Sequence, residues 1–466
     1  MSKIVVVIGG GPAGMMAAWH LSESCEVKLF EKGPQLGRKF LLAGRGGLNI
    51  THLADREELK RAYSPIGVMD KVLDYFDQAA FRDWLIHLGI PTYEGTSGKV
   101  FPEKGNDVAL ILKKITDSLL QRGVTIYLNH RLIRFTDDIS LGYAKDTAIG
   151  NTDDILTGFT DVIATGNKTN LRFTFDVHES GQEEHRTMHY DADFAILALG
   201  GASWPLTGSD GKWVEILQQN GISTIPFQPS NCGVNINWPD SVREFHTGKP
   251  LKNLVISVEK ADKSALTANV ESKMPVVRSV ADQYNISGSD HNTTSKGEAL
   301  ITDYGLEGTA IYPLIPQVRL MLNNKENLTL SIDFKPNNTS FQLIEKIVAK
   351  KTSSFGKALT LDSAQMAVIK AFTAKEEFID ARRFITKVKK LTIPVQSLRP
   401  VEEAISVVGG IDITDLADDF SLRRFPNIYT IGEMVNWDAP TGGYLLQGCF
   451  SMGKYVADII KSKPHF

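Results

Sequence analysis

The chain has 466 residues, 42% of them hydrophobic and 23% charged, with a formal net charge of −3. That length exceeds one ordinary core and predicts two or three domains. A balanced charge gives no global basic field to recruit nucleic acid or an anionic membrane, and no run of about 18 apolar residues is present to span a bilayer.

The first segment, Lys3 to Lys32, reads KIVVVIGGGPAGMMAAWHLSESCEVKLFEK. The run Ile4–Ile8 is β-branched and apolar, which suits a strand buried on both faces. It begins almost at the N-terminus, so no secretory leader is expected. Gly9, Gly11 and Gly14 stand at G-x-G-x-x-G spacing before a helix-forming face of Met15, Met16, Ala17, Ala18 and Leu21. A second apolar strand, Val27–Phe30, ends at Glu31. In this context the pattern predicts a dinucleotide site. Gly9 permits the tight turn, Gly11 lets a pyrophosphate approach the backbone, and Gly14 lets the helix lie close to the strand. The helix N-terminus receives the phosphates, and Glu31 stands where a carboxylate accepts ribose hydroxyls.

Lys32–His52 is rich in glycine and basic residues, as expected of a loop that wraps a phosphate-bearing ligand or of an ordinary mobile surface loop. Gly44, Gly46 and Gly47 would allow close approach, and Arg38, Lys39 and Arg45 could neutralise phosphate. Met69–Leu88 has helical periodicity, and Asn106 is a plausible cap for a helix from about Asp107 to Gln121. Val124–Tyr127 and Arg131–Phe135 read as strands. A weak stretch follows to about Gly158, then a predicted hairpin of Phe159–Thr165 and Leu171–Val177, and a buried strand that ends in Gly200-Gly201. Trp213–Gln219 reads as a short helix. Beyond Pro226 the pattern turns to separated strands such as Leu254–Val258, Glu298–Thr302 and Leu328–Ile332, with a polar section at Glu271–Lys296 read as a long loop or partly ordered. Phe341–Ala349 and Ser363–Phe372 look helical. Ala381–Lys390 (ARRFITKVKK) is the densest basic run, read first as a solvated amphipathic face. The last seventy residues bring strands at Ala404–Gly410 and Ile428–Ile431, Gly432-Glu433-Met434, Gly442-Gly443, and a helix from about Leu445 to Ser462. The glycine pair at that helix start again offers bare N–H groups.

Cys25, Cys232 and Cys449 are far apart and form no C-x-x-C pair. This argues against a disulfide reductase and a cysteine zinc site, and for a reducing cytoplasm. The histidines show no defensible ligand spacing, so no metal is expected.

The sequence resembles the HI0933-like flavoprotein family over nearly its whole length. The resemblance rests on Val7–Gly14 with Glu31, Gly37–Thr51 (GRKFLLAGRGGLNIT), Ala198–Gly211 (ALGGASWPLTGSDG) and Gly432–Gly448 (GEMVNWDAPTGGYLLQG). Trp204 and Trp437 place it nearest an uncharacterised bacterial branch. It implies an α/β fold: a two-dinucleotide-binding-like FAD domain made from both chain ends, with an inserted β-barrel-like domain and a small helical insert. The boundaries expected are 1–206 and 396–466 for the FAD domain, 207–335 for the β-rich insert and 336–395 for the helical insert. It also implies non-covalent FAD. Carried over by motif, Gly9, Gly11, Pro12, Ala13 and Gly14 hold the pyrophosphate, and Glu31 the ribose with Lys32 beside it. Arg38, Lys39, Asn49 and Thr51 lie along the cofactor, and Leu132 presents backbone to the adenine. Gly200 backs the diphosphate, and Gly432, Glu433, Gly442, Gly443 and Tyr444 line the ribityl and flavin end. Where many members read GGGRCN this chain reads GRGGLN, so Leu48 replaces a cysteine and no thiol acid is available there.

The resemblance points to an FAD-dependent oxidoreductase that reduces an activated carbon–carbon double bond. NAD(P)H would be a transient donor, because the chain has no second complete nucleotide fingerprint. The proton donor is expected among Tyr444, Tyr312 and His52, with Tyr444 favoured because its motif touches the flavin. The alternative is a ribosomal-RNA uridine reductase, in which Arg382, Arg383, Lys387, Lys389 and Lys390 form part of a phosphate track. A third reading is a non-catalytic flavin-binding protein.

Overall fold

The computed structural model describes residues 2–43, 47–95, 97–137, 171–178, 186–260, 293–350 and 354–464. Expectations placed on Gly44, Arg45, Gly46, the Phe159–Thr165 arm of the hairpin and most of Glu271–Lys296 lie outside these residues. The chain divides into two units, residues 1–228 with 408–466 and residues 229–407. Each has its own apolar core.

In the first unit, strand β1 (Lys3–Ile8) is buried from Val5 to Ile8, as its apolar run demands. It pairs in parallel with β2 (Cys25–Phe30) on one side and β4 (Phe194–Leu197) on the other. Strand β3 (Thr125–Tyr127) continues the sheet beyond β2, and β6 (Phe425–Thr430) continues it beyond β4. The short β5 (Ser421–Leu422) closes one edge antiparallel, giving the order β5-β6-β4-β1-β2-β3. The chain order reverses direction at β1, so a crevice opens outside its carboxyl end. That is where open α/β sheets bind ligands.

Helix α1 (Pro12–Leu21) follows β1 and lies against α4 (Tyr444–Ser462). The crossing is close because Gly453 has no side chain: a Cβ there would stand 2.5 Å from the Ala13 carbonyl oxygen. The buried Lys3 ammonium donates 2.8 Å hydrogen bonds to the carbonyls of Ile460 and Lys461, which satisfies the C-terminal end of α4 and ties the two chain ends together. A three-stranded antiparallel layer, His130–Asp137, Leu171–Val177 and Arg186–Ala192, joins the sheet through aromatic rings. Phe30 stacks on Phe175 at 4.3 Å and on Tyr127 at 4.7 Å.

Two sequence expectations change here. Met69–Leu88 is two helices, Asp70–Tyr75 and Gln78–His87, because the Asp77 carboxylate accepts the Ala79 and Ala80 amides and starts the second afresh. Helix α2 (Val108–Gln121) is capped by Asp107, which accepts the Leu110 amide, while Asn106 accepts the Lys114 ammonium.

The second unit is a seven-stranded sheet. Its longest strand, Pro250–Lys260, pairs antiparallel with Thr294–Ile301 and Leu328–Asp333. Helices Ser340–Ala349, Ser363–Ala371 and Ala381–Lys389 share that sheet's core, with Phe384 and Val388 in one cluster with Leu330 and Ile332. The β-rich and helical segments are therefore one unit rather than two. The boundary expected at 207 also moves, because α3 (Trp213–Gln219) belongs to the first unit. Among the described residues no helix is long and apolar enough to cross a membrane.

Candidate functional site

A cavity of about 400 Å³ opens in the first unit at the carboxyl end of β1. Its floor is the glycine turn. Gly9 has φ +114°, and a Cβ there would stand 2.1 Å from the Ala198 carbonyl oxygen, so only glycine fits. A Cβ on Gly14 would stand 2.0 Å from the Gly9 carbonyl oxygen, which sets how closely α1 lies over the turn. At Gly11 a Cβ would meet nothing within 4 Å: the backbone is bare and open to the cavity. Gly11 caps α1 without a side-chain hydrogen bond. Pro12 and Ala13 continue this wall, while Gly14 is buried beneath it.

The tip of β2 forms the next wall. The Glu31 carboxylate accepts the Gly10 and Gly33 amides, both at 2.8 Å, which fixes its position beside the turn. The three cations that follow are all engaged by the segment after β4. Lys32 pairs with Asp210 at 2.7 Å, and the Arg38 guanidinium donates to the Leu206 carbonyl at 2.6 Å. Lys39 donates to the Ser203 hydroxyl at 2.7 Å and pairs with Glu433 at 2.6 Å. Leu132 and Gly200 line the cavity farther along, and the Trp213 indole holds the Gly200 carbonyl at 2.9 Å. Gly432 and Glu433 close it beside Cys449, whose thiol burial pushes up to about 12, so that it stays protonated.

Asn49, Thr51, Gly442, Gly443 and Tyr444 fall outside this wall and, apart from Asn49, gather in a second cluster. A Cβ on Gly443 would stand 2.6 Å from Thr51 backbone, and Gly442 lies against Lys99. The Thr51 hydroxyl donates to Gln447 at 2.6 Å inside the protein. Tyr444 is buried, which raises its phenol pKa, and its ring stacks on His52 at 5.1 Å. His52 Nδ1 accepts the Ala54 amide, so its proton sits on Nε2, 3.1 Å from the Ser97 carbonyl. Both ring nitrogens are thus engaged by backbone. Tyr312 belongs to the second unit. Leu48 is buried in the first unit's core.

The residues present fit a dinucleotide on one count besides the bare turn. The Ser209 hydroxyl, in the cavity wall, is buried without a hydrogen-bond partner among the described residues. Sequence reasoning passed over Ser203, Ser209, Asp210 and Cys449. Ser203, Ser209 and Asp210 all stood inside the quoted Ala198–Gly211 motif, where only the glycine was taken up. Among the described residues no group of three or more His, Cys, Asp or Glu could hold a metal.

A parallel sheet with a glycine turn at its switch point and a cavity over that turn defines a dinucleotide-binding protein of the Rossmann type. The HI0933-like protein Rossmann domain matches residues 3–174 and 164–459. A 3-dehydro-bile acid delta(4,6)-reductase from Clostridium scindens is 21% identical over 98% of this chain and 99% of its own length. A ribosomal RNA dihydrouridine synthase from Escherichia coli is 22% identical over 98% of each chain. Among solved structures, a 3-ketosteroid delta1-dehydrogenase from Sterolibacterium denitrificans is 12% identical, covers 99% of this chain and 100% of its own, and has a TM-score of 0.48. The chain belongs to the HI0933-like protein family.

Proposed function

We propose that the protein reduces an activated carbon–carbon double bond, with FAD in the first unit's cavity and NAD(P)H as a transient donor. The observation that carries this reading is the bare Gly9–Gly14 turn beneath a cavity whose walls hold a fixed carboxylate, three cations and an unpartnered hydroxyl. Bound FAD would supply the hydride. The Gly11 backbone would receive the pyrophosphate and Glu31 the ribose. Lys32, Arg38 and Lys39 would neutralise charge along it, and Leu132, Gly200, Gly432 and Glu433 would complete the lining. Asn49, Thr51, Gly442 and Gly443 would shape the flavin end from behind. Tyr444 would donate the proton: its phenol is protonated at neutral pH, burial raising its pKa further, while His52, locked by backbone, holds the ring in place. The delta(4,6)-reductase among the relatives supports a conjugated ketone as the substrate class. The test is anaerobic reoxidation of the reduced protein by 3-oxo-4-ene steroids. Stoichiometric reoxidation by an enone supports the reading, and none across a panel of conjugated ketones counts against it.

One observation favours an RNA substrate instead. Residues 336–395 hold eleven Lys and Arg against five Asp and Glu, so this segment is net +6 while the remainder is net −9. Its helix Ala381–Lys389 buries Phe384, Ile385 and Val388 and turns its cations outward. Lys387, Lys389 and Lys390 pair with Glu377, Asp333 and Glu259, which leaves Arg382 and Arg383 exposed without an acidic partner among the described residues. The ribosomal RNA synthase among the relatives supports this second reading. Reoxidation by a ribosomal RNA fragment, lost on adding salt, would select it.

A further inference from the structure

The turn Thr207–Gly211 lies along the cavity, beside the tip of β2. Four contacts fix it. Asp210 is held by the Lys32 ammonium, Leu206 by Arg38 and Ser203 by Lys39. Gly208, at φ +101°, packs so closely that a Cβ there would stand 3.2 Å from the Lys32 stem and 4.0 Å from Glu31. Within this frame Ser209 is 7% exposed. Its Oγ stands 3.6 Å from the place a Cβ on Gly200 would occupy, at the point where Gly200 presents bare backbone to the cavity. The hydroxyl has no acceptor or donor among the described residues.

A buried hydroxyl left unpaired is costly, so one that stands in a cavity wall is satisfied by what fills the cavity, ligand or water. The turn around it is rigid, and a hydroxyl proton rotates freely to find its acceptor. We propose that Ser209 is a further cofactor-binding residue, donating to an oxygen of the ADP half of the dinucleotide where it passes between Glu31 and Gly200. The placement decides which half: Asp210, its chain neighbour, pairs with Lys32 and Gly208 packs along the Lys32 stem, at the ribose end, whereas the Gly442–Tyr444 cluster lies outside this cavity wall. This proposal rests on the flavoprotein reading.

The test compares wild-type protein with Ser209→Ala, freed of flavin, by fluorescence titration with FAD and calorimetric titration with ADP, together with the melting temperature of each free protein. Removing the hydroxyl should raise both dissociation constants about tenfold, equivalent to about 1.4 kcal/mol. The free protein should melt at the same temperature or higher, because the deleted group had no partner. Ser209→Thr, which keeps the hydroxyl, should restore most of the affinity. Dissociation constants within twofold of wild type would overturn the proposal. So would a loss confined to FAD with ADP unaffected, or a fall in the free protein's melting temperature that accompanies the weaker binding. Failure of the wild-type protein to bind FAD or ADP at all would remove the flavoprotein reading itself, a result distinct from a silent Ser209→Ala.

Discussion

Replacing Thr51 with valine keeps the shape of the side chain and removes one hydroxyl. That hydroxyl donates 2.6 Å to Gln447 Oε1, and Thr51, Gln447 and Ser451 are all wholly buried. Gln447 cannot answer by flipping its amide. Its nitrogen already donates to the Phe76 carbonyl at 3.2 Å and to Ser451 at 2.8 Å, and Ser451 donates to the same carbonyl at 2.6 Å. Thr51→Val therefore leaves a buried acceptor unpaired, at a cost of about 1–3 kcal/mol. Five of the six tryptophans lie in the first unit, so tryptophan fluorescence during urea unfolding reports mainly on it. Its transition should shift by about 2 kcal/mol, with FAD affinity in the folded protein changed less than about threefold, because the hydroxyl is spent inside the protein. A stability change below about 0.5 kcal/mol, or a tenfold loss of FAD affinity at unchanged stability, would refute the reasoning and make Thr51 a direct contact.

Gly11→Ala and Gly14→Ala should separate binding from folding. The first adds a methyl to open space at ordinary φ and should weaken FAD at least tenfold with stability changed by no more than about 1 kcal/mol; the second drives a Cβ into the Gly9 carbonyl and should cost about 1–3 kcal/mol in unfolding experiments. His20 supplies a pH dependence. Burial, aided by the Lys454 cation, lowers its pKa to about 3, so the unfolded imidazole takes up a proton that the folded one refuses. Its stabilising effect is complete above about pH 6.5 and is lost as pH falls, by up to about 3 kcal/mol between pH 7 and pH 4, and His20→Phe should flatten that slope in denaturation curves. If RNA binds the helix Ala381–Lys389, Arg382→Ala with Arg383→Ala should lower the slope of log affinity against log salt by about 1–2; an unchanged slope would remove that helix from the contact.

The parallel core was legible because its signals are local. An unbroken apolar run, glycines at fixed spacing and an acid at the end of β2 each state a backbone requirement within a few residues. The helix Trp213–Gln219 and the C-terminal helix were readable for the same reason. What escaped depends on distant partners. Lys39 and Glu433 are 394 residues apart in sequence, and Lys32 and Asp210 are 178 apart, so no periodicity could pair them. The same holds for α3, whose place in the first unit follows from the Trp213 indole on Gly200. The break at Asp77 was available as a cap signal inside an apolar pattern, but the pattern ran on through it. The basic run around Arg382 read first as a solvated amphipathic face, because its acidic partners Glu259 and Asp333 lie well upstream in the chain.

The most direct test of the central claim is an anaerobic absorbance spectrum of the protein after reconstitution with FAD, recorded before and after adding NADH and then NADPH. The account predicts stoichiometric bound flavin whose bands bleach with one of the two donors. A protein that retains no flavin under these conditions would contradict it, leaving the glycine turn and its cavity to a different ligand.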